Sequence, residues 1–234
     1  MEIIVDKDIE VLKEPIDKIY KVVKSNYLIN NKSKHKYSLN ELKLISHLVS
    51  HIKPEDSKLE RKFINIKDLG LDYSSKQSSK YLHKLCNDLM SKPFTIYNEE
   101  LKQYITYNWF TSLGYGNGKI SYTFIDDLKP YLLKLKENFT EYYLSNILNL
   151  SSSYDIRFYE LLKQFLNTGY RKVFFSNLRE LLYVPKSYTA NDVKKLIEKA
   201  QINLEKHTDI KFGYKLNKKS RSFDNIEFYI ESNH

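Results

Sequence analysis

The residues of this 234-residue chain that could do covalent or metal chemistry are six histidines, one cysteine, a tight trio of glycines and 20 tyrosines. His47 and His51 stand four apart, a spacing that on a helix would turn two imidazoles toward one metal ion. No glutamate follows His47 in the HExxH manner, and no third ligand clusters nearby. Leu44, Leu48 and Ile52 define a different face, so the two histidines are expected at the surface or partly buried as ordinary polar residues. Gly114, Gly116 and Gly118 lack the GxxxxGK[ST] arrangement and the strand-to-helix setting of a phosphate loop, and read as a turn. A tyrosine nucleophile for DNA nicking would need a metal-binding His-hydrophobe-His pair, which is missing. The expectation is a protein that is not an enzyme and needs no cofactor and no metal.

What remains is charge and hydrogen bonding toward a polyanion. Lys and Arg total 38 against 29 Asp and Glu, a formal net charge of +9. Much of the Tyr and Lys excess fits an A·T-rich coding sequence, so total charge alone argues little. Its distribution argues more: Lys186–Arg221 holds ten cations and four acids, 10 − 4 = +6 of that +9. Within this stretch, residues 190–206 read as a helix whose Val193, Leu196, Ile197, Ala200 and Leu204 share a core-facing side. The opposite side carries Asn191, Lys195, Glu198, Ile202 and Lys206, with Lys199 at its edge. Asn191 suits a base edge or a phosphate at the helix start. Glu198 either accepts from a cytosine amino group or pairs with Lys194 or Lys195. Ile202 either meets a thymine methyl in the major groove or packs on the neighbouring domain or the wing. Lys215, Lys218, Lys219 and Arg221 cluster at the tip of a following hairpin, where a flanking backbone or minor groove would lie. An earlier helix presents Lys76, Lys80, Lys84 and Asn87 in the same way.

Those side chains need elements to carry them, and one order of elements can be read twice. Leu39–Ile52 has helical spacing, Phe63–Leu71 alternates and then turns helical, and Ser74–Leu89 is amphipathic. Strands at Tyr104–Leu113 and Lys119–Ile125 follow, joined by the glycine trio. Trp109, Phe110 and Tyr115 make that hairpin either a protein-contact surface or part of an aromatic core. The second pass reads as helices at Phe139–Leu148 and Asp155–Asn167, a short helix at Phe174–Leu182 with Ser176 as N-cap, and the long helix from Thr189. Strands at Ile210–Leu216 and Phe223–Ile230 close it, with a turn at Asn217–Ser222. Helices, then an amphipathic helix, then a hairpin is the winged-helix order. The expected fold is α+β, with tandem winged-helix domains at residues 1–130 and 139–234 and a linker near 126–138 that contains Pro130.

The lone cysteine, Cys86, excludes an internal disulfide framework and fits a reducing compartment. No stretch has the apolar length of a membrane span and the acidic start is unlike a secretory signal, so a cytoplasmic protein with no membrane partner is expected.

The segment that begins at Phe139, FTEYYLSNILNLSSSYDIRFYELL, resembles the signature of plasmid replication initiators of the Rep_3 type: a helix, a serine-rich bend and an R-x-Y-E-L-L helix. Leu39–Ile52, ISYTFIDDLKPYL at 120–132, FSNLRELL at 175–182 and Tyr188–Ile210 support the resemblance, which spans roughly Ile19 to Ile230. It implies two winged-helix domains binding double-stranded DNA: direct repeats called iterons at an origin, and an inverted-repeat operator bound as a self-dimer that represses its own promoter. It further implies recruitment of a host replication initiator and helicase. By position, 190–206 would be the main reader, with 175–182 and Arg179 supporting it, while the N-terminal domain adds contacts and a dimer interface. Relatives commonly carry Glu-Ile-Asn where this chain has Gln201-Ile202-Asn203, which puts any charged contact at 201 in doubt. Arg157 and Glu160 in the signature helix are expected to be structural or phosphate-adjacent. The same fold would also serve a transcription regulator with no role in replication.

Overall fold

A computed structural model describes residues 20–69, 76–98, 101–220 and 222–233. The chain opens with β1 (Lys21–Ser25) and a single turn α1 (Asn26–Ile29), then enters α2 (Leu39–Ser50). Ser38 and Glu41 start α2 with a capping box: the Glu41 N–H donates to Ser38 Oγ at 3.3 Å and the Ser38 N–H to Glu41 Oε2 at 2.6 Å. Next come β2 (Lys62–Asn65), a 3-10 turn at Ile66–Leu69 and α3 (Lys76–Met90), close to the expected order.

The hairpin expected from Tyr104 is divided. β3 (Phe94–Asn98) pairs with β4 (Gln103–Tyr107), while β5 (Phe110–Gly116) pairs with β6 (Lys119–Phe124), beside which β2 also lies. Asn117 and Gly118 take φ of 50° and 71°, the two left-handed positions that let a two-residue turn join twisted strands. Trp109, between β4 and β5, and Phe110, at the start of β5, are both buried, and Tyr115 packs partly buried against the same core, so these three belong to the aromatic core.

Residues 126–138 hold a 3-10 turn and α4 (Lys129–Leu132), and the chain then returns to the N-terminal strand. β7 (Phe139–Tyr143) pairs antiparallel with β1, Lys21 opposite Tyr143 through Ser25 opposite Phe139. The helix expected over Phe139–Leu148 is therefore this strand followed by the short α5 (Ser145–Leu148). Thr140 and Tyr142 point inward while Phe139, Glu141 and Tyr143 point out, a period of two that decides for strand.

The signature helix α6 (Ser153–Lys163) is buried from Tyr154 to Leu162, on all sides, as a helix must be when other elements surround it. It packs on α2 on one side and on the long helix α8 (Ala190–His207) on another. Between them lie β8 (Tyr170–Phe174) and α7 (Phe175–Leu181), whose N-cap is Phe174 with no side-chain cap; the Ser176 cap is not formed because the helix begins one residue before it. Thr189 and Asp192 close a capping box on α8. β9 (Ile210–Lys219) and β10 (Ser222–Ser232) form a long hairpin with β8 at its edge; β9 runs into the expected turn 217–222 as far as Lys219, and β10 begins at its last residue.

Candidate nucleic-acid interface

α8 is set on the core by four side chains at helical spacing. Val193, Ile197, Ala200 and Leu204 are fully buried, whereas Leu196 is only half-buried at the edge of that face. Two polar tethers fix its rotation. The Gln201 amide donates to the Phe212 carbonyl on β9 at 2.8 Å, and the Asn203 amide donates to Asp155 Oδ2 on α6 at 2.8 Å. Burial raises the Asp155 carboxyl above its usual range even though Asn203 favours the ionised form. Gln201 and Asn203 thus look inward, and Ile202 between them is turned out at 66% exposure. Such exposure favours the outward, groove-facing alternative over packing on the wing or the neighbouring unit.

Asn191, Lys195, Lys199 and Lys206 are exposed on the same helix, with Asn191, Lys195, Ile202 and Lys206 at the three- and four-residue steps that align on one face. Glu198 is half-buried, 3.4 Å from Lys194 and near Tyr214, so its carboxylate is engaged within the protein. On the wing, Lys215, Lys218 and Lys219 are exposed on β9, and the Lys218 ammonium lies 5.4 Å from the centre of the Phe223 ring. Arg221 lies outside the described residues. A depression of about 590 Å³ joins Asn191 at the start of α8 to Lys218 and Ser222 on the wing, with Phe175, Ser176 and Arg179 of α7 as its floor. The helix start and the wing therefore share one concave surface. In α3, Lys80, Lys84 and Asn87 are exposed, Lys84 paired to Asp88 one turn on; Lys76 opens this helix.

His47 is 1% exposed, and both its ring nitrogens are without a hydrogen-bond partner among the described residues. Its ring stacks on His51 at 5.0 Å, and His51 on Tyr20 at 4.7 Å. His47 is thus enclosed, and not at the surface or partly buried as expected, because α2 buries nearly its whole circumference under β1 and α6. No group of three or more potential metal ligands occurs among the described residues. Arg157 and Glu160 are buried too, and hold elements together. Arg157 donates to the carbonyls of Leu181 at 2.9 Å and Ile29 at 2.8 Å, while Glu160 accepts from Lys24 at 2.7 Å and Tyr142 at 2.7 Å.

Sequence reasoning passed over one cationic cluster. The loop before α2 exposes Lys32, Lys34 and Lys36, and across a groove of about 960 Å³ it faces Arg179 and Lys186. The alternation of lysine in NKSKHK was its only signal, and nothing local tells that Lys186, 150 residues later, closes the same groove.

Two family descriptions match this frame: initiator replication protein WH1 over residues 21–163, and initiator Rep protein WH2 over residues 175–230. The chain belongs to the initiator replication protein family. It has the two winged-helix units of that family, and the WH1 match runs through β7 and α6 to the end of the signature helix. A Pi initiator protein, solved in complex with iteron DNA, has the same fold at a TM-score of 0.72 and 16% identity, over 94% of this chain and 99% of that one. Domains 2 and 3 of RctB align over 82% of this chain and 81% of that one at 9% identity and a TM-score of 0.44. No curated protein matches the chain. Among the described residues no helix is long and apolar enough to cross a membrane.

Proposed function

We propose that this initiator binds iteron repeats in duplex DNA at a plasmid origin, with α8 as the principal reader, the β9–β10 wing on the flanking backbone and α3 as a second contact. The observation that carries the reading is the outward face of α8. It is a rigidly tethered helix with an unpacked isoleucine among exposed lysines, beside a basic wing, in a chain whose family acts in replication initiation. Asn191, Lys195, Lys199, Ile202 and Lys206 are assigned to the reader; Lys215, Lys218, Lys219 and Arg221 to the wing; Lys76, Lys80, Lys84 and Asn87 to the N-terminal contact. Glu198 is assigned to holding Lys194 more than to reading a base.

The protein acts without catalysis of its own, in the cytoplasm. As a dimer it occupies an inverted-repeat operator and represses its own promoter; as a monomer it occupies each direct repeat and engages the host replication initiator and helicase. Binding of purified protein to a duplex carrying the direct repeats beside its own gene, against a scrambled duplex, tests the central claim. Affinity for the repeats at least 10³-fold tighter at physiological salt is expected, the usual margin of specific over non-specific binding, about 4 kcal/mol or more. Equal affinity for both would defeat it. Light scattering on operator and single-repeat complexes tests the change of assembly, and metal-dependent nicking of an origin plasmid would overturn the non-enzymatic reading.

A further inference from the structure

The cationic groove beside α7 is a built feature. Its near wall is the loop from Asn31 to Lys36, which both winged-helix units pin. The Lys32 N–H donates to the Thr95 carbonyl at 3.0 Å and the Thr95 N–H returns to the Lys32 carbonyl at 2.7 Å. Ser33 Oγ donates to the Pro93 carbonyl at 3.0 Å, and the buried Tyr183 hydroxyl donates to Asn31 Oδ1 at 2.6 Å. The far wall is α7 and the loop after it, held because Arg179 donates to the Tyr188 carbonyl at 2.8 Å. Among the described residues five cations line the groove, Lys32, Lys34, Lys36, Arg179 and Lys186, with one carboxylate, Glu180. That carboxylate is taken by Lys32 at 2.6 Å. Lys34 and Lys186 are exposed and have no ion pair among the described residues.

Ser176 and Arg179 line both this groove and the depression between Asn191 and Lys218. One trough therefore runs from the wing and reader helix, across α7, to the N-terminal unit's basic loop. We infer that this groove seats a continuation of the same sugar–phosphate backbone that passes the wing, so that one DNA strand is clamped between the two winged-helix units. This rests on the duplex-binding reading above. Water-facing ammonium groups carried on pinned backbone suit a phosphate chain, which asks for charge at intervals and for no particular base. Because each wall belongs to a different unit, the full set of phosphate contacts forms only when the units keep this mutual arrangement. The groove thus makes DNA affinity depend on it.

Salt titrations of binding to a random-sequence 40-base-pair duplex test the proposal. Each phosphate contact contributes about 0.9 to the slope of log affinity against log salt, so Lys34→Ala with Lys186→Ala, one change per wall, should lower that slope by nearly two. Glu180→Gln frees Lys32 and should steepen the slope and tighten binding, a gain that a misfolded protein cannot produce. Lys218→Ala with Lys219→Ala on the wing serves as the comparison. If the wing variant lowers the slope while both groove variants leave it at the wild-type value, the clamp is wrong and the DNA-binding reading stands. A wild-type chain that binds no duplex overturns both. Saturable binding of ATP alone, lost in the Lys34/Lys186 variant whose duplex slope is unchanged, would overturn the proposal by giving the groove to a free nucleotide.

Discussion

Ile202 and His47 are each an aliphatic or polar side chain on the side of the surface where its type is not expected. Ile202 stands out at 66% exposure between two residues that reach inward to Phe212 and Asp155. Ile202→Ala should therefore spare the melting temperature and cost roughly 1–3 kcal/mol of discrimination between cognate and random duplex, with an unchanged salt slope. The deficit should shrink when the thymine it meets is replaced by uracil; intact discrimination with a lowered melting temperature would make it a packing residue instead. His47 is the converse. Burial, and secondarily the neighbouring His51, push its imidazole down to about 3 from an ordinary value near 6.5. The unfolded chain takes up this proton below about pH 6.5 while the folded chain takes it up only near pH 3, so His47 contributes stability above that window that is lost as pH falls through it. The loss amounts to about 1.4 kcal/mol per pH unit within the window. His47→Leu should flatten the decline in melting temperature between pH 7 and pH 5. Parallel declines for the two proteins would show that His47 is not the group that titrates. Neither position was legible as it stands: the helical pattern put Ile202 on the right face without excluding a partner, and it could not foresee that β1 and α6 would cover a polar face of α2.

At the scale of elements, legibility followed length and one-sidedness. α8 was readable from Thr189 onward because one stripe of it is buried and the rest is wet, and its capping box marks its start. Deleting from that stripe is the corresponding prediction: Ile197→Ala should cost about 2–5 kcal/mol of stability and weaken binding to every duplex alike, unlike the outward substitutions. Thermal melts alongside cognate and random isotherms distinguish the two patterns. Strands of five residues left a weaker trace. The local pattern shows no strand at β1, β3 or β8, and it reads β7 as helix because Leu144, Ile147 and Leu148 continue an apolar series beyond Tyr143. The decisive fact for β7 is its pairing with β1, more than a hundred residues away, which no local period contains. The wing is where the pattern puts it, but the turn 217–222 is too wide: Lys218 and Lys219 lie in paired strand, opposite Phe223 and Ser222. The proposed phosphate contact can be tested cleanly there, since Lys218→Ala removes a charge from a paired strand. It should flatten the salt slope by about one unit on cognate and random duplex equally. An unchanged slope would remove Lys218 from the phosphate contacts.

On the scale of the whole molecule, the R-x-Y-E-L-L signature is best understood as the joint between the two winged-helix units. Glu160 accepts from Lys24 of β1 and Tyr142 of β7 and faces Arg157 at 3.3 Å, and Arg157 in turn holds the carbonyls of Ile29 and Leu181. Burial works against the ionised Glu160, yet Lys24 and Arg157 outweigh it and keep its carboxyl below the usual range. Such a cluster tolerates no missing member, because the remaining charges are then buried without compensation. Glu160→Gln should destabilise the chain by about 3–5 kcal/mol. Since the bonds reach β1, β7, the end of α1 and the end of α7, the loss should be felt by both units in one transition. Fluorescence of Trp109, the chain's sole tryptophan, reports the N-terminal unit, and hydrogen exchange of the Ile197 and Ala200 amides reports α8. Coincident losses by both probes would establish a single cooperative body, as agreement between independent probes does for two-state unfolding. If Trp109 lost its transition at lower temperature while α8 kept its wild-type protection, the two units would unfold separately. The signature helix would then stabilise only the unit that contains it, and the groove between the units would lack the rigid walls on which a clamp depends.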